Sequence, residues 1–348
     1  MYNSERLMFA FSALSDDKLE RTAIALGYGG QRRRRTPHVR RTVAVAVIAA
    51  AFLALGAVAY AADFLGLRTL FANPNRGEMP EAAAIHIEKQ ETIAEMSNWE
   101  ARILESYCDE GTVLVTLTVT GRENCIVAPT DEGPDSPLWT VGLEGEETLD
   151  EYARREGKTL LFAGAVLDAE QLGLSTAGQR FQSLAPNEIQ ILIEAPRRGD
   201  TLPVTEADCT VYVLPWVPGA ANPARPERRT LTVTLAEAGG EAAGVFVPAD
   251  PAAIQGMLLG ELTLTRTPLG LRLRLPITPI EPDALERLLT IRLQEIEFHG
   301  AGEIRPEEDG SALLLLSQGQ GEAGEQLHLT ALDWDKQPIG EALFEKTE

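Results

Sequence analysis

The chain has 348 residues, with 31 Lys and Arg against 52 Asp and Glu, so its formal net charge is −21. Hydrophobic residues make up 44% and charged residues 24%, which is typical of a folded protein and not of a disordered one. The acidity of most of the chain argues against nucleic acid as a partner. Residues 1–41 carry nine basic and four acidic residues, a balance of +5, whereas the rest of the chain has −26. A basic head and an acidic body therefore meet at one apolar run.

That apolar run, residues 42–62, reads TVAVAVIAAAFLALGAVAYAA and contains no charged residue. As a helix it would extend roughly 31 Å at about 1.5 Å per residue, which is enough to cross a membrane. The basic residues before it are Arg32, Arg33, Arg34, Arg35, Arg40 and Arg41. The positive-inside rule then predicts a single-pass cell-membrane protein with a cytoplasmic amino terminus and an extracytoplasmic body.

A cleaved signal peptide is the alternative interpretation of this run, since Ala59-Tyr60-Ala61 resembles a small-x-small cleavage site. The long basic region before the run, and the length of the run itself, favour an uncleaved anchor. The arginine cluster also has a simpler interpretation, in which it only sets topology and contacts anionic lipid without a specific partner.

The head is predicted to contain two short helices, residues 4–14 and 16–26. Their apolar positions are Met8, Phe11, Leu14, Leu19, Ala23 and Leu26. Two helices of this length cannot bury a core of their own, so these faces need a partner. We expect that partner to be a cytoplasmic protein; a second copy of the head and the membrane surface are the alternatives.

The body is predicted to be rich in β-strands, because short alternating runs recur along it. The expected fold class is mainly β, with a short cytoplasmic helical head, one transmembrane helix and two extracytoplasmic antiparallel β-sandwich-like domains. The expected segments are 1–41 (head), 42–62 (transmembrane helix), 63–98 (juxtamembrane helical stalk), 99–217 (first β domain), 218–229 (Pro-rich linker) and 230–348 (second β domain).

A search for catalytic chemistry predicts no enzyme, no cofactor and no metal ion. Only four histidines occur, and none has paired metal-ligand spacing. Residues 319–324, GQGEAG, match GxGxxG, but an alternating run follows where phosphate binding needs a helix amino terminus. This segment is therefore predicted to be a hairpin loop. Acidic groups near Asp131 and Asp333 have the oxygen ligands for weak Ca²⁺ binding, although solvated turn residues explain them better.

Three cysteines, Cys108, Cys125 and Cys209, leave at least one thiol unpaired within the chain. Outside the membrane a disulfide is chemically allowed, and Cys108 and Cys125 flank one predicted strand. A Cys108–Cys125 bond and three isolated thiols are equally compatible with the sequence.

The layout as a whole resembles a known family. The head motif ALSDDKLERTA, the arginine cluster, one membrane helix and an outer β-rich body are similar to membrane-anchored proteins of Gram-positive bacteria that carry the "domain of unknown function 4179". The hairpin ILESYCDEGTVLVTLTV resembles that family's early strand-turn-strand, and LTLTRTPLGLRLRLPI resembles the strand pair that opens its second outer domain. The resemblance implies an anti-sigma-like role, with the head holding a sigma factor and the outer part sensing. It brings no catalytic residues.

Three functional hypotheses follow. The first is a signalling membrane protein whose head binds a sigma factor or another cytoplasmic regulator, while the outer part binds an envelope component or a protein. The second is a surface-anchored structural or adhesion module without cytoplasmic signalling. The third, an outer hydrolase, has the least support, because abundant surface carboxylates do not make an acid–base pair.

Overall fold

The computed structural model describes residues 66–72, 78–168, 178–197, 205–217, 225–300 and 302–347. All of them belong to one compact unit, residues 62–348. In this part the chain is mainly β, as its alternating sequence predicts, and the strands lie in three sheets.

The described ranges contain four α-helices: α1 Leu67–Phe71, α2 Glu81–Ala84, α3 Leu149–Glu156 and α4 Ala284–Arg287. A 3-10 turn, Leu138–Val141, precedes α3. Helix α3 has strong signals at both ends. Thr148 and Glu151 form a reciprocal capping box, and Gly157 ends the helix in the left-handed conformation with φ of 65°.

The mainly β character of the predicted fold class is confirmed, but the rest of that prediction is wrong. The helices of the described part are short, and none has both the length and the apolar character that a membrane crossing requires. The predicted helical head, residues 1–41, and the predicted span, residues 42–62, lie outside the described residues. The two antiparallel sandwiches are also not what the strands form. One pair of sheets includes parallel strands, and the remaining sheet is nearly closed on itself.

Residues 80–97, which belong to the stalk expected to be helical, have only four helical residues, those of α2. After it the chain forms two short strands that pair with the first long strand of the body. Ile93, for example, lies opposite Arg102 in that ladder. The segment pairs with an edge of the strand Trp99–Asp109 that would otherwise be open. This tertiary pairing overrides a composition that favours helix.

The first two sheets pack face to face around one core. The first sheet has the order β1-β3-β4-β8-β7, with β2 and β11 also pairing with β3. Its strands are β1 Glu88–Lys89, β2 Ile93–Glu95, β3 Trp99–Asp109, β4 Thr112–Gly121, β7 Gly178–Ala185, β8 Glu188–Pro196 and β11 Glu237–Ala238. The second sheet has the order β10-β9-β6-β5. Its strands are β5 Cys125–Pro129, β6 Thr159–Leu167, β9 Glu206–Trp216 and β10 Glu227–Thr234.

Their shared core is made by alternate residues of both sheets, such as Val115 and Ile191 from the first and Val211 and Val213 from the second. The outer face of the first sheet is covered in part by α1, whose Leu67 is fully buried. The outer face of the second sheet is covered in part by α3 and the 3-10 turn.

The third sheet has ten strands and is nearly closed. Its order is β16-β20-β21-β12-β14-β15-β19-β17, with β13 pairing with β15 and β18 pairing with β19. Its strands are β12 Glu241–Pro248, β13 Met257–Leu259, β14 Leu262–Thr267, β15 Gly270–Pro279, β16 Thr290–Leu293, β17 Ile296–Phe298, β18 Glu303–Pro306, β19 Ala312–Gly321, β20 Gln326–Leu332 and β21 Pro338–Lys346. A separate core that includes Leu273, Leu314 and Phe344 fills its interior.

The predicted division into domains stays a prediction. Residues 218–224 of the predicted linker lie outside the described residues. Strand β10, which overlaps the end of that linker and the start of the predicted second β domain, pairs along its whole length with β9 of the second sheet. The third sheet begins only with β12.

A buried carboxylate organises the turn between β3 and β4. Asp109 accepts hydrogen bonds from the backbone N–H groups of Gly111 and Thr112, each at 2.8 Å, and from the Tyr107 hydroxyl at 2.8 Å. The side chain is almost completely buried, and this desolvation raises the pKa of Asp109 despite these hydrogen bonds, which lower it.

A buried arginine connects this turn to its surroundings. Arg197, only 1% exposed, donates from Nη1 to the carbonyl of Asp109 at 2.9 Å and lies 2.9 Å from a carboxylate oxygen of Glu237. Arg272 of β15 donates to the carbonyl of Arg197 at 3.3 Å. Polar contacts therefore join the first and third sheets.

Candidate functional site

The outer face of the second sheet carries a row of large side chains. Along β9, alternate residues point into the core, so Tyr212, Leu214 and Trp216 point outward and are each half-buried. Phe162 of β6 lies on the same outer face. These side chains are the floor of a groove of about 330 Å³, which we call the aromatic groove. It is lined by Thr130, Glu132, Pro134, Phe162, Tyr212, Leu214, Trp216, Pro226 and Arg228.

Strand register determines which of these side chains are neighbours. In the β6–β9 ladder Phe162 lies opposite Leu214, and Gly164 lies opposite Tyr212. A Cβ added at Gly164 would lie 2.6 Å from Cζ and from the hydroxyl oxygen of Tyr212. The tyrosine ring therefore occupies the space that any side chain at position 164 would need. On the other side of β9, Arg228 lies opposite Tyr212 and supplies a positive charge.

Helix α3 holds the indole of Trp216. Its Nε1 donates to a carboxylate oxygen of Asp150 at 3.2 Å, and the second oxygen of Asp150 forms an ion pair with Arg154 one turn along the helix. Because the capping box fixes the start of α3, Asp150 is positioned by local sequence, and it sets the orientation of the indole.

The loop after β5 forms the rim of the groove. The backbone N–H of Thr130 donates to the carbonyl of Ala163 at 3.1 Å, and the N–H of Gly133 donates to the Ser136 hydroxyl at 3.0 Å. These bonds hold Glu132 beside the aromatic floor. The groove thus combines aromatic faces with one carboxylate and one guanidinium.

Two other grooves are larger. One, about 550 Å³, is lined mainly by charged and polar side chains of β3, β4 and the segment around β1, and the other, about 520 Å³, lies at the third sheet. The aromatic groove is nevertheless the best candidate for a small-ligand site. Its volume falls in the usual range for such sites, and it has the typical combination of an apolar floor and a few fixed polar groups.

The predicted partner-binding residues and the predicted topology residues all lie outside the described part of the chain. They are Met8, Phe11, Leu14, Leu19, Ala23 and Leu26, and Arg32, Arg33, Arg34, Arg35, Arg40 and Arg41. The assignment of these residues stays a prediction.

Both acidic groups considered for Ca²⁺ lie in the described part of the chain. Asp333 accepts the backbone N–H of Gln337 at 2.7 Å and so closes the turn between β20 and β21. Glu132 lines the aromatic groove. Among the described residues, no group of three or more His, Cys, Asp or Glu side chains is placed to hold a metal ion.

The three cysteines are free and buried in the core between the first two sheets, so the Cys108–Cys125 disulfide is not formed. Burial raises the pKa of Cys108 and of Cys209 to about 12. The prediction that the GxGxxG segment is a hairpin loop is wrong, because Gly319 and Gly321 lie in β19, which pairs with β15, β17 and β18 and not with the following strand β20.

Sequence reasoning missed the aromatic groove. Its only local signal is the alternation in VYVLPW, residues 211–216, which places an aromatic, a leucine and a tryptophan on the face opposite the valines. That signal does not say whether the outer face is covered. The partners Phe162 and Thr130 come from distant strands, so only the register brings them together.

No family model and no curated protein matches the chain. Two solved structures are similar at low levels. A conserved domain protein from Bacillus anthracis has a TM-score of 0.46 at 8% identity, with 80% of this chain and 95% of that chain covered. The amino-terminal periplasmic domain of ScsB from Proteus mirabilis has a TM-score of 0.21 at 9% identity, with 74% and 99% covered. Similarity at this level carries no conclusion about fold or function.

Proposed function

We propose that the described β-rich part is a binding module rather than an enzyme, and that the aromatic groove binds an oligosaccharide. The observation that carries the proposal is the row of outward aromatic side chains, with Tyr212 seated over Gly164 and Trp216 hydrogen-bonded to Asp150. Rings that are already fixed lose little conformational freedom when a ligand binds, which favours affinity.

The chemistry of the groove supports this ligand class. A sugar ring has an apolar C–H face, which suits the face of an aromatic side chain, and a rim of hydroxyl groups. Glu132 can accept hydrogen bonds from those hydroxyls and Arg228 can donate to them, since both line the groove. In the groove lining, Glu132 is the only carboxylate, so the paired carboxylates of a glycoside hydrolase have no counterpart there.

We further propose that this module is the sensing part of a regulatory protein, with the head binding a sigma factor or another cytoplasmic regulator. The support for that role is the sequence pattern of the head. The alternative, an adhesion module without signalling, uses the same groove. Deletion of residues 2–30 separates the two, since only a regulatory role requires the head for a response to ligand.

The groove is tested by isothermal calorimetry of the full-length protein with two probes, cellohexaose and chitohexaose. We expect one probe to bind, and Tyr212→Ala to weaken that binding about tenfold, equivalent to roughly 1.4 kcal/mol. Trp139→Ala is the matched control because Trp139 is 70% exposed and does not line the groove. Absence of binding by both probes rejects the oligosaccharide class, and equal binding by wild type and Tyr212→Ala rejects the groove.

A further inference from the structure

The nearly closed third sheet ends at β16 on one side and, on the other side, at β17 and β18, which both pair with β19. In the described part of the chain, β16 pairs only with β20, and β18 pairs only with β19. The N–H of Glu307 donates to the carbonyl of Ser311 at 2.8 Å, which fixes the phase of the β18–β19 ladder. Because the direction of backbone groups alternates along a strand, Ile304 directs its N–H and C=O away from β19.

A groove of about 520 Å³ lies between β16 and β18, and we call it the seam groove. Side chains of both ends of the sheet line it, and its floor includes Leu314 and Leu316 of β19, which belong to the interior core. The lining includes Thr290 of β16, three residues of β18 (Glu303, Ile304 and Pro306), Leu316 of β19 and Trp334. The seam therefore combines an apolar floor with an unpaired strand edge.

Trp334 forms one wall of the seam groove. Its side chain is 69% exposed, yet its Nε1 donates to the carbonyl of Glu286 at 2.7 Å. The hydrogen bond holds the indole in position while most of its surface remains in water. A partner that covers this side chain removes a large apolar area from water. The cost in side-chain conformational entropy is small because the indole is already held, and residues of this kind are often interface hot spots.

The charge of the seam groove is negative. One carboxylate oxygen of Glu303 is shielded from solvent and accepts no hydrogen bond from the described residues. The nearby arginines have other acidic partners: Arg287 pairs with Glu281, and Arg305 lies 3.4 Å from Glu307. A cation supplied by a ligand would pair with this oxygen, because a shielded polar atom without a hydrogen-bond partner is costly.

We propose that the seam groove binds an extended, basic and apolar segment of a partner protein, which adds as a strand to β18. Its backbone would pair with the free edge at Ile304, its apolar side chains would cover Leu316 and Trp334, and a Lys or Arg would pair with Glu303. Pro306 has no N–H to donate, so pairing along β18 is limited to the part before it. Main-chain pairing gives affinity and alternate side chains give specificity in this mode of recognition.

The proposal is tested with the full-length protein and fluorescein-labelled peptides, read by fluorescence anisotropy. The first peptide alternates valine and lysine, the second alternates valine and glutamate, and the third is the first with every backbone amide N-methylated. We expect only the first to bind, since the second has the wrong charge and the third cannot form a ladder. Equal binding by the first and third, or no binding by the first, overturns the proposal.

Variants locate the binding site. We expect Trp334→Ala to weaken the valine–lysine peptide about tenfold and Glu303→Gln to weaken it several-fold, whereas Trp139→Ala leaves it unchanged. Hydrogen exchange is expected to slow at the Ile304 amide when the peptide binds. Unchanged affinity in Trp334→Ala contradicts the assignment. Self-association of the protein that the peptide does not reverse, seen by sedimentation, would make a second copy the occupant and also overturn it.

Discussion

Tyr212 fills the space above the backbone of Gly164, since a Cβ at position 164 would lie 2.6 Å from its ring. Gly164→Ala is therefore expected to displace the tyrosine. We predict weaker binding of the groove ligand and a loss of roughly 1–3 kcal/mol in the free energy of unfolding, because the added methyl group overpacks the site. Calorimetry and urea unfolding measure the two effects.

Gly133→Ala is the matched control for this substitution. Gly133 belongs to the rim of the same groove, but a Cβ at this position meets nothing within 4 Å. It should leave both binding and unfolding close to wild type. Normal ligand affinity in Gly164→Ala would show that the position of Tyr212 does not matter for the groove.

The buried carboxyl of Asp109 gives a pH-dependent prediction. Its pKa is raised by burial, so the folded chain holds the proton more tightly than the unfolded chain. Such a group stabilises the fold below its ordinary pKa, and this contribution is lost as the pH rises through the folded value. Asp109→Asn does not titrate and keeps an oxygen for Gly111 and Thr112. The unfolding free energy of wild type should therefore fall relative to this variant as the pH rises from about 4 towards 7.

Asp109→Ala provides the comparison. It removes the acceptor of both backbone N–H groups and is expected to cost about 1–3 kcal/mol, because buried donors are left unsatisfied. Urea unfolding across the pH series measures both variants. A constant difference between wild type and Asp109→Asn across this range would contradict a raised pKa.

Among the ion-pairing residues of the described part, Arg197 is expected to cause the largest loss of unfolding free energy when it is substituted. Its removal in Arg197→Ala leaves the carbonyl of Asp109 and the carboxylate of Glu237 without this donor inside the protein, at a cost of about 3–5 kcal/mol. Arg102→Ala is the control, because Arg102 is half exposed and its pair with Glu100 is worth at most about 1 kcal/mol. Equal losses in the two variants, measured by denaturant unfolding, would contradict a structural role for the buried pair.

The cysteines should be unreactive in the folded protein. The pKa of about 12 at Cys108 and Cys209 leaves almost no thiolate at neutral pH, and all three side chains are buried. We expect no labelling by a thiol-specific disulfide reagent in native buffer and labelling of all three after denaturation. Rapid labelling of the native protein, or fewer than three thiols after denaturation without reductant, would contradict the prediction.

Local patterns predicted many of the strands. The motif ILESYCDEGTVLVTLTV, residues 103–119, lies in β3, β4 and the turn between them, and LTLTRTPLGLRLRLPI, residues 262–277, lies in β14, β15 and the turn between them. These strands have clear alternation, a turn between them and a neighbour in sequence with which to pair. The register of a hairpin is set by its own turn, so sequence is sufficient for this level of structure.

Pairing between distant segments could not be predicted in the same way. Helical composition at residues 80–97 gave way to β1 and β2 because the edge of β3 was available. The near closure of the third sheet depends on the pairing registers of ten strands together. No short stretch of sequence contains that information. The aromatic groove has the same origin, since Phe162, Tyr212 and Thr130 meet only after β5, β6 and β9 have paired.

Strands β5 and β6 run parallel, and the chain between them forms a rim loop and then α3 on the outer face of the second sheet. Residues 131–135 of that loop are exposed or half-buried, whereas the floor of the groove belongs to the sheet. Substitutions in this short stretch can therefore change which ligand fits without disturbing the core. For an engineer, the loop is a place where the selectivity of the protein can be altered at little risk to its folding.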